Sequence, residues 1–192
     1  MTLPDHDLLR ALRAGDATAF QALYRRHQGP LFRYAVLRSG SRETAADTVQ
    51  EVFIGLLNGS LKFDPLRGEL RHFLFGVARK LILKQELARG LAPHSPPDDA
   101  NADDDGEWQE APCMAHEPLV RMLDNEAAEQ VRQALAGLPP HYRDMVILYE
   151  MYDLSYGEIA AICQIELGTV RSRLSRARAA LVARLQPMMR VA

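Results

Sequence analysis

The sequence predicts an all-α protein, with two small helical domains joined by a flexible acidic linker and a helix-turn-helix in the second domain. Three observations carry this reading. Apolar residues recur at helical spacing in both halves, and no segment alternates with strand period over more than a few residues. An acidic, proline-rich stretch separates the halves: residues 91–120 hold eight Asp or Glu, no Lys or Arg, and five of the 11 prolines. Near the end, a serine-capped segment runs directly into an arginine-rich one. The expected boundaries are therefore 1–90, 91–120 and 121–192.

The first helical segment has Asp16 as N-cap and carries Phe20, Leu23 and Tyr24 on one face. A second is expected to start beyond Gly29-Pro30, with Leu31, Tyr34, Ala35 and Val36. A third begins near Ser41, which has Thr44 three residues on and so forms half of a capping box. It carries a stripe of Ala45, Val49, Val52, Phe53 and Leu56. Gly55, Asn58 and Gly59 lead into a loop with Phe63-Asp64-Pro65 and Gly68. A fourth helix then places Phe73, Leu74, Val77, Ala78, Leu81 and Ile82 inward. Residues 91–120 show no helical period and cannot bury enough apolar surface to offset the entropy of ordering, so they read as a tether. Beyond it, Asp124 or Asn125 can cap a helix through Val131, Leu135 and Leu138, stopped by Pro139-Pro140. Another helix runs through Met145, Val146, Leu148 and Tyr149, and the last is expected to end at Pro187.

The closing pair of helices carries the chemistry. Ser155 with Glu158 three residues on is a capping box for a helix to Cys163, with Ile159, Ala160 and Ile162 inward. Gln164 to Leu167 make the turn. In the next helix Val170, Leu174, Ala177 and Leu181 face the core, and Arg171, Ser172, Arg173, Ser175, Arg176 and Arg178 occupy the remaining surface. From Leu167 to Arg184 there are five arginines and no acid. Arginine forks pair with guanine edges or phosphates, and a helix N-terminus at Thr169 favours a phosphate, so a DNA-reading helix-turn-helix is expected. Net charge agrees: +5 over residues 1–90 and +1 over 121–192, against −8 over 91–120.

At these residues the sequence resembles a family. Leu138-Pro139-Pro140, Leu154 to Ala160 and Gly168 to Arg178 resemble region 4 of bacterial sigma factors, in particular the extracytoplasmic-function (ECF) group of the sigma-70 family. Independently, Ala19 to Tyr24, Asp47 to Phe53, and Phe63-Asp64-Pro65 through Gly76 to Lys80 resemble region 2. The resemblance implies a promoter-specificity subunit of RNA polymerase and not an enzyme. It implies core binding by Asp47, Gln50 and Glu51 against the β′ coiled-coil, with region 4 meeting the β flap. It implies −10 element contacts from Asn58, Ser60, Lys62, Phe63, Arg71, His72, Arg79 and Lys80, with Phe63 equally open to a core role. It implies −35 contacts from Arg171, Ser172, Ser175 and Arg176 to base edges, and from Thr169, Arg173 and Arg178 to phosphates. Control by an anti-sigma factor, often membrane-anchored, and a cytoplasmic location are further implications. Two departures stand out: Leu57 where many members carry Trp, and Gln164 where the turn often has Gly.

The composition excludes other classes. Two cysteines make no disulfide framework, and no apolar run is long enough to span a bilayer. The six histidines show no catalytic or metal-binding spacing, and Cys113-x-x-His116 is only half a zinc site, so no cofactor or metal is expected. The competing reading is a polymerase-independent helix-turn-helix regulator. It requires a dimer seam that the sequence does not show, and it gives the Asp47–Glu51 patch no purpose.

Overall fold

The first helix, α1 (Asp5–Arg13), was not anticipated. Its acids Asp5 and Asp7 sit in the first turn and Arg10 and Arg13 in the last, complementing the helix dipole, while Leu8 and Leu9 are buried. Asp5 pins it to the next helix through an ion pair with Arg26 and a hydrogen bond with His27, the latter at 2.9 Å. In this computed structural model, residues 3–90 and 126–189 are described. The linker, the caps Asp124 and Asn125, and the Cys113–His116 half-site lie outside them. Among the described residues all regular structure is helical.

Helix α2 (Ala17–Ser39) starts at Asp16, whose carboxylate accepts the Thr18 N–H at 2.8 Å, and ends at Gly40, which is left-handed at φ 71°. It runs straight through Pro30, so the two expected helices are one. Proline normally disfavours helix in the residue before it, partly by crowding that residue's Cβ, and Gly29 has none. The lost backbone bond is outweighed by burying Ala19, Leu23, Leu31, Tyr34 and Ala35 on one face. Helix α3 (Arg42–Leu57) is capped by Ser41, whose hydroxyl accepts the Thr44 N–H at 3.2 Å, and all five expected stripe residues are buried.

Helix α4 (Leu70–Ala88) departs from its expected face. Leu74, Ala78 and Ile82 are buried, but Phe73, Val77 and Leu81 are only half-buried, and Phe75 is fully buried. The reason is that α4 packs on two sides. One side meets α2 and α3; the other meets the C-terminal helices, and the Phe75 ring lies 5.1 Å from Tyr34 of α2 and 4.6 Å from Tyr152 of the C-terminal group.

The C-terminal group comprises α5 (Glu126–Ala136), α6 (Pro140–Val146) continued by a π-helical turn (Ile147–Met151), α7 (Tyr156–Cys163) and α8 (Leu167–Met189). Pro139 precedes α6 and Pro140 opens it, where a missing N–H costs nothing. Pro187 does not end α8, which continues to Met189. Proline there forfeits one bond to the Ala183 carbonyl, but its fixed φ is helical. Buried residues of the two groups form one continuous apolar cluster, from Leu8 and Leu23 through Phe75 to Ile159 and Leu174.

Candidate functional site

The helix-turn-helix is built as its local sequence requires. Ser155 Oγ accepts the Glu158 N–H at 3.3 Å, and the Glu158 carboxylate accepts the Ser155 N–H at 2.8 Å, a complete capping box. Gln164 closes α7 in the left-handed region at φ 58°. Ile159, Ile162 and Cys163 of α7 pack with Val170, Leu174 and Ala177 of α8, while Leu181 is half-buried. Burial pushes the Cys163 thiol up to about 12, so it stays a neutral core group. On the outer side of α8, Arg171, Ser175, Arg176 and Arg178 are exposed; Thr169, Ser172 and Arg173 are half-buried. Ser172 Oγ donates to the Thr169 carbonyl at 3.2 Å. Arg178 is paired with Glu150 at 2.8 Å, and its guanidinium lies 4.7 Å from the Tyr149 ring centre.

A second face lies on α3. Asp47, Gln50 and Glu51 are exposed there, beside a groove of about 470 Å³ between α2 and α3 that Phe20, Tyr24, Val49, Phe53 and Ile54 line. The loop from α3 to α4 carries Asn58, Ser60 and Lys62, all exposed. Asn58 and Lys62 also line a hollow of about 600 Å³ against α1. Phe63 is core: it is buried, with its ring 5.5 Å from Phe73.

The third face, on α4, is turned toward the C-terminal helices. Lys80 is exposed, but Arg71 and His72 are half-buried, with His72 Nε2 3.7 Å from Glu158 of α7. Arg79 Nε pairs with Asp144 Oδ2 at 2.9 Å, and Arg38 Nε pairs with Asp144 Oδ1 at 2.7 Å. Asp144 is 1 % exposed. The Tyr34 hydroxyl donates to it at 3.2 Å. Arg38 also grips Glu86 with two bonds of 2.6 and 3.0 Å, and Arg143 donates to the Arg38 carbonyl at 2.7 Å. Burial opposes the charges on Arg38 and Arg79, but their partners together more than offset it, Asp144 first at both, joined by Glu86 and Tyr34 at Arg38 and by Cys163 and Tyr34 at Arg79, and both pKa values are raised.

Comparison with known proteins decides the family. Residues 23–89 match the sigma-70 region 2 family model and residues 128–181 match sigma-70 region 4. The chain is 32% identical over 192 residues to the RNA polymerase sigma-H factor of Pseudomonas aeruginosa, covering 98% of this chain and 97% of that one. It is 33% identical over 190 residues to the ECF RNA polymerase sigma-E factor of Escherichia coli K12, with coverage of 98% and 97%. The chain belongs to the ECF sigma factors. Its fold agrees: it superposes on the sigma factor RpoE of Bartonella quintana, solved with the anti-sigma factor NepR, with TM-score 0.62 at 25% identity over 87% of this chain and 96% of that one. It superposes on CnrH, solved with the cytosolic domain of CnrY, with TM-score 0.65 at 23% identity over 95% of this chain and 97% of that one.

Sigma factors are transcription initiation factors rather than enzymes, and the family match favours that reading over a polymerase-independent regulator. In this sigma factor, the α3 residues and most of the α8 residues read from sequence share an exposed face each. The residues assigned to the −10 element do not come together. Asn58, Ser60, Lys62 and Lys80 face solvent, Phe63 is in the core, Arg71 is half-buried, and His72 and Arg79 meet Glu158 and Asp144 of region 4. Sequence reasoning missed Arg38, Glu86 and Asp144. The available signal was the charged pair Arg143-Asp144 directly before the apolar run Met145 to Leu148.

Proposed function

We propose that this sigma factor docks on core RNA polymerase through the α3 face, with Asp47, Gln50 and Glu51 pairing with basic and polar groups of the β′ coiled-coil. Apolar side chains of the partner enter the adjoining groove. Region 4 meets the β flap and reads the −35 element with α8, where Arg171, Ser172, Ser175 and Arg176 address base edges. Thr169, Arg173 and Arg178 hold phosphates. Asn58, Ser60 and Lys62 of the loop, with Arg71, His72, Arg79 and Lys80 of α4, serve the −10 element once melted. The observation that supports this reading is the pair of separate exposed faces, one acidic on α3 and one arginine-rich on α8, in a chain of shown family. An anti-sigma factor is the expected partner in the inactive state; the similar RpoE was solved in complex with one, NepR. The chain works in the cytoplasm; no described helix is long and apolar enough to cross a membrane.

The test is binding of the fluorescently labelled chain to core polymerase. Asp47→Ala with Glu51→Ala should weaken it at least tenfold, while Arg171→Ala should leave it unchanged. Equal affinity of the wild-type chain and the α3 double variant would remove the α3 face from this account.

A further inference from the structure

The connection between α3 and α4 carries a side chain that the fold does not use. Leu66 is 95 % exposed, and among the described residues no other large apolar side chain exceeds 60 %. It stands at the crown of a 3-10 turn (Pro65–Arg67), between Lys62 and the start of α4 at Leu70. We infer that Leu66 is a strand-opening wedge: in the polymerase-bound chain its side chain enters the base stack at the edge of the −10 segment and takes up the stacking lost by the first opened pair. The inference rests on the reading of this loop and α4 as the −10 face.

The turn is built to hold that side chain out. Pro65 fixes its own backbone φ. Asp64 Oδ1 accepts the Leu66 N–H at 3.0 Å, and the Arg67 N–H reaches the Asp64 carbonyl at 3.1 Å. Both ends are anchored in the core: Phe63 and Leu70 are buried, and the Phe63 carbonyl accepts the Arg13 guanidinium of α1 at 3.4 Å. A side chain on a mobile loop loses freedom on insertion, whereas one mounted in this way has little to lose. Leucine is among the side chains that part base steps, because its apolar bulk replaces a stacked neighbour. The surroundings suit a nucleic acid. Lys62 is exposed on one side, and the one acid between Lys62 and Gly68, Asp64, is engaged by the Leu66 N–H and by Arg67 at 3.5 Å. Unstacking a base step and burying a leucine are of the same order in free energy and opposite in sign. Loss of the side chain therefore slows opening rather than abolishing it.

The experiment uses the full chain at saturating bacterial core polymerase. The probe is a promoter selected from a random library by transcription with the wild-type chain, prepared fully paired and with a mismatched bubble over the −10 segment. Opening is followed by permanganate reactivity of thymines placed where the library leaves the melted segment free. Leu66→Ala should slow opening of the paired promoter about tenfold and leave transcription from the bubble template unchanged. Melting temperature and core affinity should not move, because the side chain covers nothing in the fold. Leu66→Met, apolar and of similar size, should open the paired promoter at close to the wild-type rate. Opening that is indifferent to Leu66→Ala and Leu66→Ser would overturn the wedge. So would equal losses on the paired and bubble templates, or weakened core affinity, since either places Leu66 against polymerase. Lys62→Ala separates the wedge from the reading beneath it. An altered −10 preference there, with opening indifferent to Leu66, would refute the wedge alone; an unaltered −10 preference would remove the loop reading and the wedge with it.

Discussion

Gln164 occupies a backbone conformation that suits glycine, and its replacement has a calculable sign. At φ 58° and ψ 49° its Cβ crowds the following carbonyl, a cost of about 1–2 kcal/mol for a residue with a side chain. Glycine removes that crowding but loses about 0.5–1 kcal/mol more chain entropy on folding. The backbone bonds of the turn are unaffected: the Gln164 and Ile165 N–H groups both reach the Ala160 carbonyl. The Gln164 side chain is exposed, so little packing is lost. Gln164→Gly should therefore stabilise the protein by about 0.5–1 kcal/mol. The melting temperature should rise by about 2–8 °C if region 4 unfolds alone, or about 1–4 °C if both domains unfold together. Scanning calorimetry reads the shift, and its size reports which unit melts. Gln164→Val, β-branched in the same conformation, should lower the melting temperature. A destabilised glycine variant, or a valine variant as stable as wild type, would show that the turn does not hold this residue left-handed.

Other perturbations have equally definite outcomes. Ser155→Ala removes the hydroxyl from the capping box and should cost about 1 kcal/mol of region 4 stability by chemical denaturation. Gly55→Ala places a Cβ 2.7 Å from Leu61 Cγ, so it should destabilise the α3–α4 loop through overpacking. In a Leu61→Ala background both Leu61 contacts are gone and the remaining close neighbour, the Ser60 hydroxyl at 3.3 Å, can rotate away, so the same substitution should instead stabilise α3 by up to about 1 kcal/mol. Cys163 is buried with its pKa pushed up to about 12, so in a Cys113→Ser background the remaining thiol should react with a thiol reagent only as fast as the protein opens.

The residues that were legible in the sequence are those whose reasons are local. Asp16, Ser41 and Ser155 cap helices because their partners, Thr18, Thr44 and Glu158, lie two or three residues on. The α3 stripe is buried because a single face meets a single core. Pro30 misled because local propensity counts one lost bond, whereas the structure counts a whole buried face of α2. Pro187 misled because its fixed φ is itself helical and a helix can continue through it. Phe75 was left out of the inward set because region 4 covers a side of α4 that a one-sided pattern leaves to solvent, the side on which Arg79 also meets Asp144. The Asp144 cluster has no local signature: Arg79 and Tyr34 reach it across 65 and 110 residues. The exposed α3 and α8 faces were legible because polar and charged residues opposite an apolar stripe need no knowledge of packing; the contacts that cover the third face exist only once two distant segments meet.

The measurement that tests the central claim most directly is transcription in vitro from a promoter library with bacterial core polymerase, with and without the protein, followed by sequencing of the 5′ ends. New starts should appear only with the protein and should share two spaced motifs. With Arg171→Ala, preference at one −35 position should relax at a cost of about 1–3 kcal/mol while the −10 motif stays the same. No protein-dependent starts with the chain bound to core, or starts whose −35 preference ignores Arg171, would contradict the account.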